Sequence, residues 1–420
     1  MPLVPGLCVR HCISFAIIFW LQSALLAAEW RQFRGTHGQG VVIATGVPMK
    51  WDAETNVTWK TPIAGSGWSS PILSNGRLYV TSAVAGPATD ASLRTVCIDA
   101  GTGRVIWDVE ALTADREKAE QVHGKNSLAS PTPLVDFDRV YAHFGHMGTA
   151  AVDFNGKVVW RQTGLEYQPV HGGGGSPAAV DGLIVFGCDG ADDPFLAALD
   201  RMSGEVRWKT PRRVDVQKSF SFSTPLIIEV GGKKQIVCPA SGLVAGYDPG
   251  DGHELWRVRY GEGYSVIPRP VFAHGLLFIC TGFDRPQLLA IRPASHGGDL
   301  TGTHIAWRHA KGVPNTASPI IVGDELFFVS DSGVASCLDA RTGKVHWSER
   351  LGGAFSASPV AAEGRLYFLN EEGTCYVVAA GTEFKLLATN ELGERTFASP
   401  AVMDGALFLR SESHLWRIGK

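Results

Sequence analysis

The sequence predicts an all-β fold, an eight-bladed β-propeller of four-stranded antiparallel blades closed by the N-terminal strand pairing into the last blade. Three observations predict it. A dipeptide ending in Pro, usually Ser-Pro, recurs eight times at blade-sized intervals. Apolar runs broken by Gly-marked turns follow each copy, and four copies end in a Trp eight residues after an Asp. Composition agrees: 420 residues, 45% hydrophobic and 19% charged, include 49 glycines, 23 prolines and 12 tryptophans. That balance suits many short strands and turns and argues against disorder.

The anchors are Ser70-Pro71, Ser130-Pro131, Ser176-Pro177, Thr224-Pro225, Arg269-Pro270, Ser318-Pro319, Ser358-Pro359 and Ser399-Pro400. After each comes a short apolar strand, a turn such as Asn75-Gly76 or Asp404-Gly405, and a second apolar strand such as Arg77–Thr81 or Glu325–Ser330. A third strand then runs through a tight turn into a fourth that bears Trp. The best copies are Cys97–Trp107 (CIDAGTGRVIW), Ala198–Trp208, Gly246–Trp256 and Cys337–Trp347. Ala151–Trp160 is one residue shorter, an insertion stretches the fifth copy before Trp307, and the seventh has Leu386 or Leu387 at the Trp position. Thr-Gly, Ser-Gly and Asp-Gly pairs supply the positive φ that a tight hairpin demands. Four strands per unit cannot bury both sheet faces alone, so the blades must stack around an axis. By this periodicity Trp59, Trp107, Trp160, Trp208, Trp256, Trp307 and Trp347 are structural docking residues between blades.

The eighth unit ends after three strands at His414–Ile418, and Asn56–Thr61 with Trp59 is expected to supply its fourth. The predicted organisation is a leader over residues 1–28 and one propeller over 29–420, with 29–55 as an N-terminal arm. The arm's run Trp30–Gly35 is expected to pack across the outer surface or one face. Arg10 and His11 precede the apolar run Ile13–Ala28, too short for the ~20 residues of a membrane span, so it reads as a cleaved export signal. The expected location is periplasmic or secreted, with no transmembrane domain after signal removal and a monomeric state. Lys plus Arg (38) balance Asp plus Glu (41) without a basic stripe, which argues against nucleic acid as a partner. Six cysteines follow the leader without a C-x-x-C pair, and they read as buried free thiols.

The A-x-D-x-x-T-G-x-x-x-W pattern resembles the tryptophan-docking repeat of the quinoprotein (PQQ-like) propeller superfamily, from Trp59 to Lys420. One branch, the quinoprotein dehydrogenases, holds pyrroloquinoline quinone and Ca²⁺ on the axis. The other is non-catalytic and exemplified by BamB, a subunit of the outer-membrane β-barrel assembly machinery. The chain is similar in size to the second branch. It lacks the adjacent Cys-Cys pair and the C-x-x-C-H haem site of many of the enzymes, and it lacks the lipidated Cys of BamB.

Departures from the repeat are the places to seek a site. Asp108–Ser127 is the longest interruption and returns through His123 and Asn126; with His143 and His146 in the same blade it offers imidazole ligands for a transition metal, or polar funnel lining. His143 and His146, three apart, are expected to project to different faces. The glycine run after His171 suggests close backbone approach near the axis. Asp189, Asp192 and Asp193 are weak Ca²⁺ candidates, with Asx turns as the competing reading. Arg269, in place of Ser, is expected to form an ion-paired cluster with Asp284 and Arg285 that braces blades or presents Arg to an anionic ligand.

No catalytic residue and no cofactor is predicted. The expected function is an extracytoplasmic binding scaffold whose partner is a protein or an envelope component. A quinoprotein-type oxidoreductase holding pyrroloquinoline quinone and calcium, and a polysaccharide-binding or -processing propeller, stand as alternatives.

Overall fold

The computed structural model describes Met1 and residues 29–85, 90–114 and 122–420. Eight four-stranded antiparallel units follow one another as blades, numbered here by anchor. The leader expectation and residues 115–121 of the Asp108–Ser127 insertion fall outside that set. Among the described residues no helix is long and apolar enough to cross a membrane.

Blade 1 is Ile72–Ser74, Arg77–Ala85, Ala91–Asp99 and Val105–Ala114, and the other blades repeat this order. The inner strands are almost wholly apolar and buried, as in Leu276–Cys280. The fourth strand alternates, as in Val206–Pro211, where Trp208 is the buried member. The core is therefore divided among the blade interfaces. Val185, Leu196 and Trp208 of blade 3 pack on Ile236, Cys238 and Tyr247 of blade 4. Blades 5 and 6 meet through Phe278, Ala290, Leu326 and Phe328. Each large side chain buried this way contributes about 1.5–3 kcal/mol. All six described cysteines are buried free thiols within these cores.

The repeat motif has a direct physical meaning. Asp99 Oδ1 accepts hydrogen bonds from the Thr102 N–H and hydroxyl, both 2.8 Å, which shapes the turn between third and fourth strands. Asp339 does the same with Thr342 at 2.7 Å. The turn glycine then lies flat beneath the indole of the preceding blade. Gly103 has φ +73°, and an added Cβ would sit 2.6 Å from Trp59, so both conformation and space require glycine. The indole N–H donates to a turn carbonyl of the following blade. Trp59 reaches Ala100, Trp107 reaches Phe154, Trp160 reaches Arg201 and Trp307 reaches Ala340, all at 3.1 Å. Trp208 to Pro249 and Trp347 to Gly381 are 3.0 Å.

Two blades depart from this scheme. Trp256 donates instead to Gln235 Oε1 of its own blade (2.8 Å), and Gln235 Nε2 passes the link to Ala294 O of blade 5 (2.8 Å). The blade 5 insertion also adds Gly298–Asp299 in parallel to the outer strand Glu254–Arg259 of blade 4. Blade 7 has no Trp on its fourth strand. The arm supplies one: Trp51 stacks on Tyr367 at 6.3 Å, much as Trp107 lies beside Tyr79 at 5.9 Å.

Closure joins the two ends of the chain. Val57–Pro62 pairs antiparallel with His414–Ile418, with Val57 opposite Ile418 and Pro62 opposite His414. The seam carries an ionic cluster. Glu394 Oε1 lies 2.7 Å from Lys60 Nζ and 2.9 Å from His414 Nδ1, and Glu394 Oε2 accepts the Ser411 hydroxyl at 2.6 Å. Burial pushes the Glu394 carboxyl up, but the hydrogen bonds from Lys60, Ser411 and His414 outweigh it and hold it at about 2.

Two measurements check these devices. Trp208→Ala is expected to destabilise the fold by about 3–5 kcal/mol in denaturant melts, whereas truncating exposed Val159 leaves the midpoint unchanged. Because the Glu394 pKa is depressed, its stabilisation is fully present above its ordinary value of 4.5 and disappears as pH falls through about 2. The melting-temperature gap between wild type and Glu394→Gln should hold constant above that window and close within it; a gap independent of pH would remove Glu394 as a seam latch.

Candidate functional site: an axial funnel

Each anchor sets its first residue at the head of the innermost strand, and there the blades hand hydrogen bonds around the axis. The Ser70 N–H donates to Thr132 Oγ1, Thr132 to Ser176 Oγ and Ser176 to Thr224 Oγ1, each at 2.9 Å. Arg269 donates to Ser318 and Ser318 to Ser358, both 2.9 Å, Ser358 to Ser399 at 2.8 Å, and Ser399 back to Ser70 at 3.1 Å. The belt corrects the second anchor. Its working residue is Thr132, ahead of Pro133, and not Ser130; the run Ser-Pro-Thr-Pro offers two registers and only Thr132 reaches both neighbours. The link from Thr224 to Arg269 is absent among the described hydrogen bonds, because Arg269 has no hydroxyl. Ser223 Oγ donates to Pro268 O instead, at 3.0 Å.

Arg269 turns toward the N-terminal arm. Its guanidinium donates to Pro225 O of blade 4, to Phe33 O and to Gln32 Oε1. The expected cluster with Asp284 and Arg285 does not form: Arg269 is 1% exposed, while Asp284 accepts from the Tyr264 hydroxyl at 3.3 Å. The arm itself runs across the axis rather than over the outer surface. Trp30 bridges to Leu73, Arg31 O accepts from Val135 N–H, Gln39 from Phe272 and Gly40 from Ala361. All four partners stand three residues beyond their anchors, so the arm closes the channel below the belt. Arg34 completes the closure by donating to Pro319 O at 2.7 Å and Gln39 O at 3.1 Å.

Above the belt lies a cavity of about 480 Å³ with Phe33 in its floor. Its wall follows one repeat position, two residues before each anchor: Trp68, Ser130, Gly174, Phe222, Ile267, Thr316, Ser356 and Phe397. Bulky residues come from blades 8 and 1 and from blades 4 and 5, on opposite sides of the ring. Small ones come from blades 2 and 3 and from blades 6 and 7. The funnel is thus a slot between two apolar jaws, with Tyr264 and Phe283 on the jaw of blades 4 and 5. Lys125 spans the slot to Glu371 of blade 7, Nζ to Oε1 2.7 Å, where the Ser356 hydroxyl also donates at 2.7 Å.

The predicted histidines divide between two places. His123 and His171 line the funnel, their rings 5.2 Å apart. Burial, and then His123, lower the His171 pKa. Asn126 Nδ2 ties the two connections together through His171 O (2.7 Å) and Gly173 O (3.1 Å). His143 and His146 instead pack between blades 2 and 3, against Phe186 (4.2 Å) and Tyr167 (6.2 Å). His143 Nδ1 meets Thr149 Oγ1 at 2.8 Å, and burial followed by His146 pushes its pKa down to about 3. The glycine run does allow close approach: a Cβ on Gly173 would lie 2.8 Å from Gly145 Cα.

The three acidic candidates also separate. Both oxygens of Asp189 accept from Arg212, at 2.9 and 2.8 Å, in a pair that is almost fully buried. Asp192 accepts the Gln168 N–H at 3.1 Å, and Asp193 is exposed. Among the described residues, ligand atoms converge at Asp248, Asp251 and His253, in an exposed turn of blade 4. Sequence reasoning missed the belt hydroxyls, the jaw aromatics, Lys125 and Asp331. Aligning the copies on the belt residue would have revealed the wall position.

Three further arginine facts define the electrostatics. Arg34, Arg269 and Arg410 are each at most 2% exposed, and none has a carboxylate partner among the described ion pairs. Arg410 donates to Ser69 Oγ (2.7 Å) and Thr81 O (2.6 Å), beside the first belt residue. Burial pushes all three guanidinium groups down to about 9, with Arg269 adding to the effect on Arg34.

Comparison with known proteins agrees with this architecture. A curated relative, tetrathionate hydrolase of Acidithiobacillus ferrooxidans, is 23% identical over 300 residues, covering 65% of this chain and 51% of its own. The chain thus spans about half the length of that relative. Among solved structures, the computationally designed Ika8 protein superposes with TM-score 0.61 and 14% identity, over 85% of this chain and 99% of the other. A europium-containing methanol dehydrogenase gives 0.56 and 11%, over 91% and 89%. At such identities these likenesses show the fold alone. The family model described as outer membrane protein assembly factor BamB matches residues 20–212, 148–294 and 240–411. Together these matches cover most of the propeller, and the chain belongs to this PQQ-like β-propeller family.

Proposed function

We propose that this chain is an extracytoplasmic, non-catalytic binding propeller, monomeric and periplasmic, that uses the mouth of its axial funnel to hold a protein or envelope component. One observation carries the reading: the funnel's carboxylates are already engaged, while its jaws are open and apolar. Asp331 Oδ1 accepts from Asn315 N–H, Thr316 N–H and the Thr316 hydroxyl, at 3.0 to 3.2 Å, and Oδ2 accepts from Asn315 Nδ2 at 3.1 Å. Glu371 is held by Lys125 and Ser356. Ca²⁺ takes six to eight oxygen ligands, carboxylates among them, and among the described lining residues the one carboxylate, Asp331, is already held by Asn315 and Thr316. The donor set therefore does not fit a calcium-held quinone. Neither His123 nor His171 has a hydroxyl or thiol partner among the described hydrogen bonds, so no activated nucleophile is assembled there. A concave site of this size with aromatic walls and few polar groups suits recognition.

A photo-crosslinking amino acid at Phe397, in the jaw, is expected to trap a discrete adduct in cells of the source organism. The same group at Val159, on the exposed outer strand of blade 2, is expected not to trap it. Dye-linked oxidation of alcohols by the purified chain with pyrroloquinoline quinone and Ca²⁺, or identical adducts from both positions, would overturn the reading.

A further inference from the structure

The belt hydroxyls have a second face. Each accepts a backbone N–H from a neighbouring blade, which leaves its own proton to be donated. Ser358 gives its proton to Ser318 Oγ at 3.0 Å. The hydroxyls of Ser70, Thr132, Ser176, Thr224, Ser318 and Ser399 have no acceptor among the described hydrogen bonds, and all six line the cavity. The upper side of the belt is therefore an arc of O–H donors around one small floor. A hydroxyl that already accepts a hydrogen bond is polarised toward donating a stronger one.

An independent observation concerns charge. Arg34, Arg269 and Arg410 sit at or just beneath the level of these hydroxyls, buried and without an acid partner. They answer carbonyl and hydroxyl oxygens, which satisfies geometry but leaves three positive charges uncompensated in a medium of low dielectric. Arg34 Nε has no hydrogen-bond partner among the described residues. A buried charge without a counter-charge is strongly unfavourable. Lys125 adds a fourth cation at the mouth; against these stand Glu371, which it pairs, and Asp331. The floor is both donor-rich and positive.

We propose that the floor of the funnel is an oxyanion site that binds a carboxylate- or sulfonate-headed organic anion without a divalent cation, the head group on the belt hydroxyls and the body between the apolar jaws. The site deepens the binding reading and rests on it. The arginines act at a distance: they set the field, while the hydroxyls make the contacts. Head-group selectivity follows, because a neutral amide of the same shape keeps the apolar contacts and loses the charge-assisted hydrogen bonds.

The test is calorimetry on the full-length exported chain in the presence of a chelator, with naphthalene-2-sulfonate and 2-naphthoate as anions and 2-naphthamide as their neutral counterpart. Saturable one-to-one binding of the anions is expected, weakening with salt, with the amide about tenfold weaker or more, the worth of one hydrogen bond to a charged group. Thr224→Val is expected to lower anion affinity by a similar factor and Thr224→Ser to restore it, with thermal melts monitoring the fold. Should Thr224→Val fail to fold, the comparison of anion with amide on the wild type decides alone. Equal binding of the amide, binding that appears only when Ca²⁺ is added, or a folded Thr224→Val with unchanged affinity would overturn the proposal. Crosslinks from Phe397 with no anion binding would remove the oxyanion site and leave the binding reading intact; anion binding together with dye-linked turnover would do the reverse.

Discussion

The structure depends on a backbone N–H at the head of seven of the eight innermost strands finding a hydroxyl on a neighbouring blade. The innermost strand has no further strand toward the axis, so its edge would otherwise be left with unanswered polar groups. Proline after the anchor removes one donor and fixes φ, and a Ser or Thr from the adjoining anchor accepts the donor that remains. Each link contributes about 1 kcal/mol net, but a missing acceptor strands a buried N–H at about 1–3 kcal/mol. A chain of such links also sets the radius of the ring. Hydroxyl belt inside and indole docking outside hold each blade at two distances from the axis, which fixes its tilt as well as its spacing.

Where the belt lacks a hydroxyl, the chain solves a different problem. Arg269 gives up the hydroxyl link and makes four guanidinium hydrogen bonds that gather oxygens from blade 4 and from the arm. Arg34 repeats the device from the arm toward blade 6. Arginine suits this task because its planar fork reaches several fixed oxygens at once. The same choice leaves cationic charge in the interior, so closing the lower end of the channel also gives the upper cavity its sign.

Legibility in the sequence followed chemistry that repeats locally. In the best copies the Asp, Gly and Trp of the turn lie within eleven residues of one another, so the blade count, the docking tryptophans and the closing strand could be read from the sequence. What escaped depends on partners far apart in sequence. Arg269 stood out as an odd anchor, yet its partner Phe33 is 236 residues away. Trp51 stands in for the missing seventh tryptophan from within the arm, where no periodicity points to it. The second anchor was misread by one doublet because Ser130-Pro131 and Thr132-Pro133 both satisfy the local rule. His143 and His146, three apart, were expected on different faces, yet both pack between blades 2 and 3, while the connection keeps His123 of the same blade at the axis.

The lopsided wall of the funnel separates packing from recognition. The same indole-to-carbonyl docking recurs at six blade interfaces, so it imposes no alternation on the residue two before each anchor. That position nevertheless alternates in opposed pairs, large at blades 8, 1, 4 and 5 and small at blades 2, 3, 6 and 7. A ring filled only for stability would be expected to place similar volumes all round, since a void loses dispersion contacts on its lining. The slot left instead is crossed by Lys125 and Glu371, from connections on its two open sides. Residues that serve the fold repeat with the blades; those that shape the slot follow the diameter of the ring.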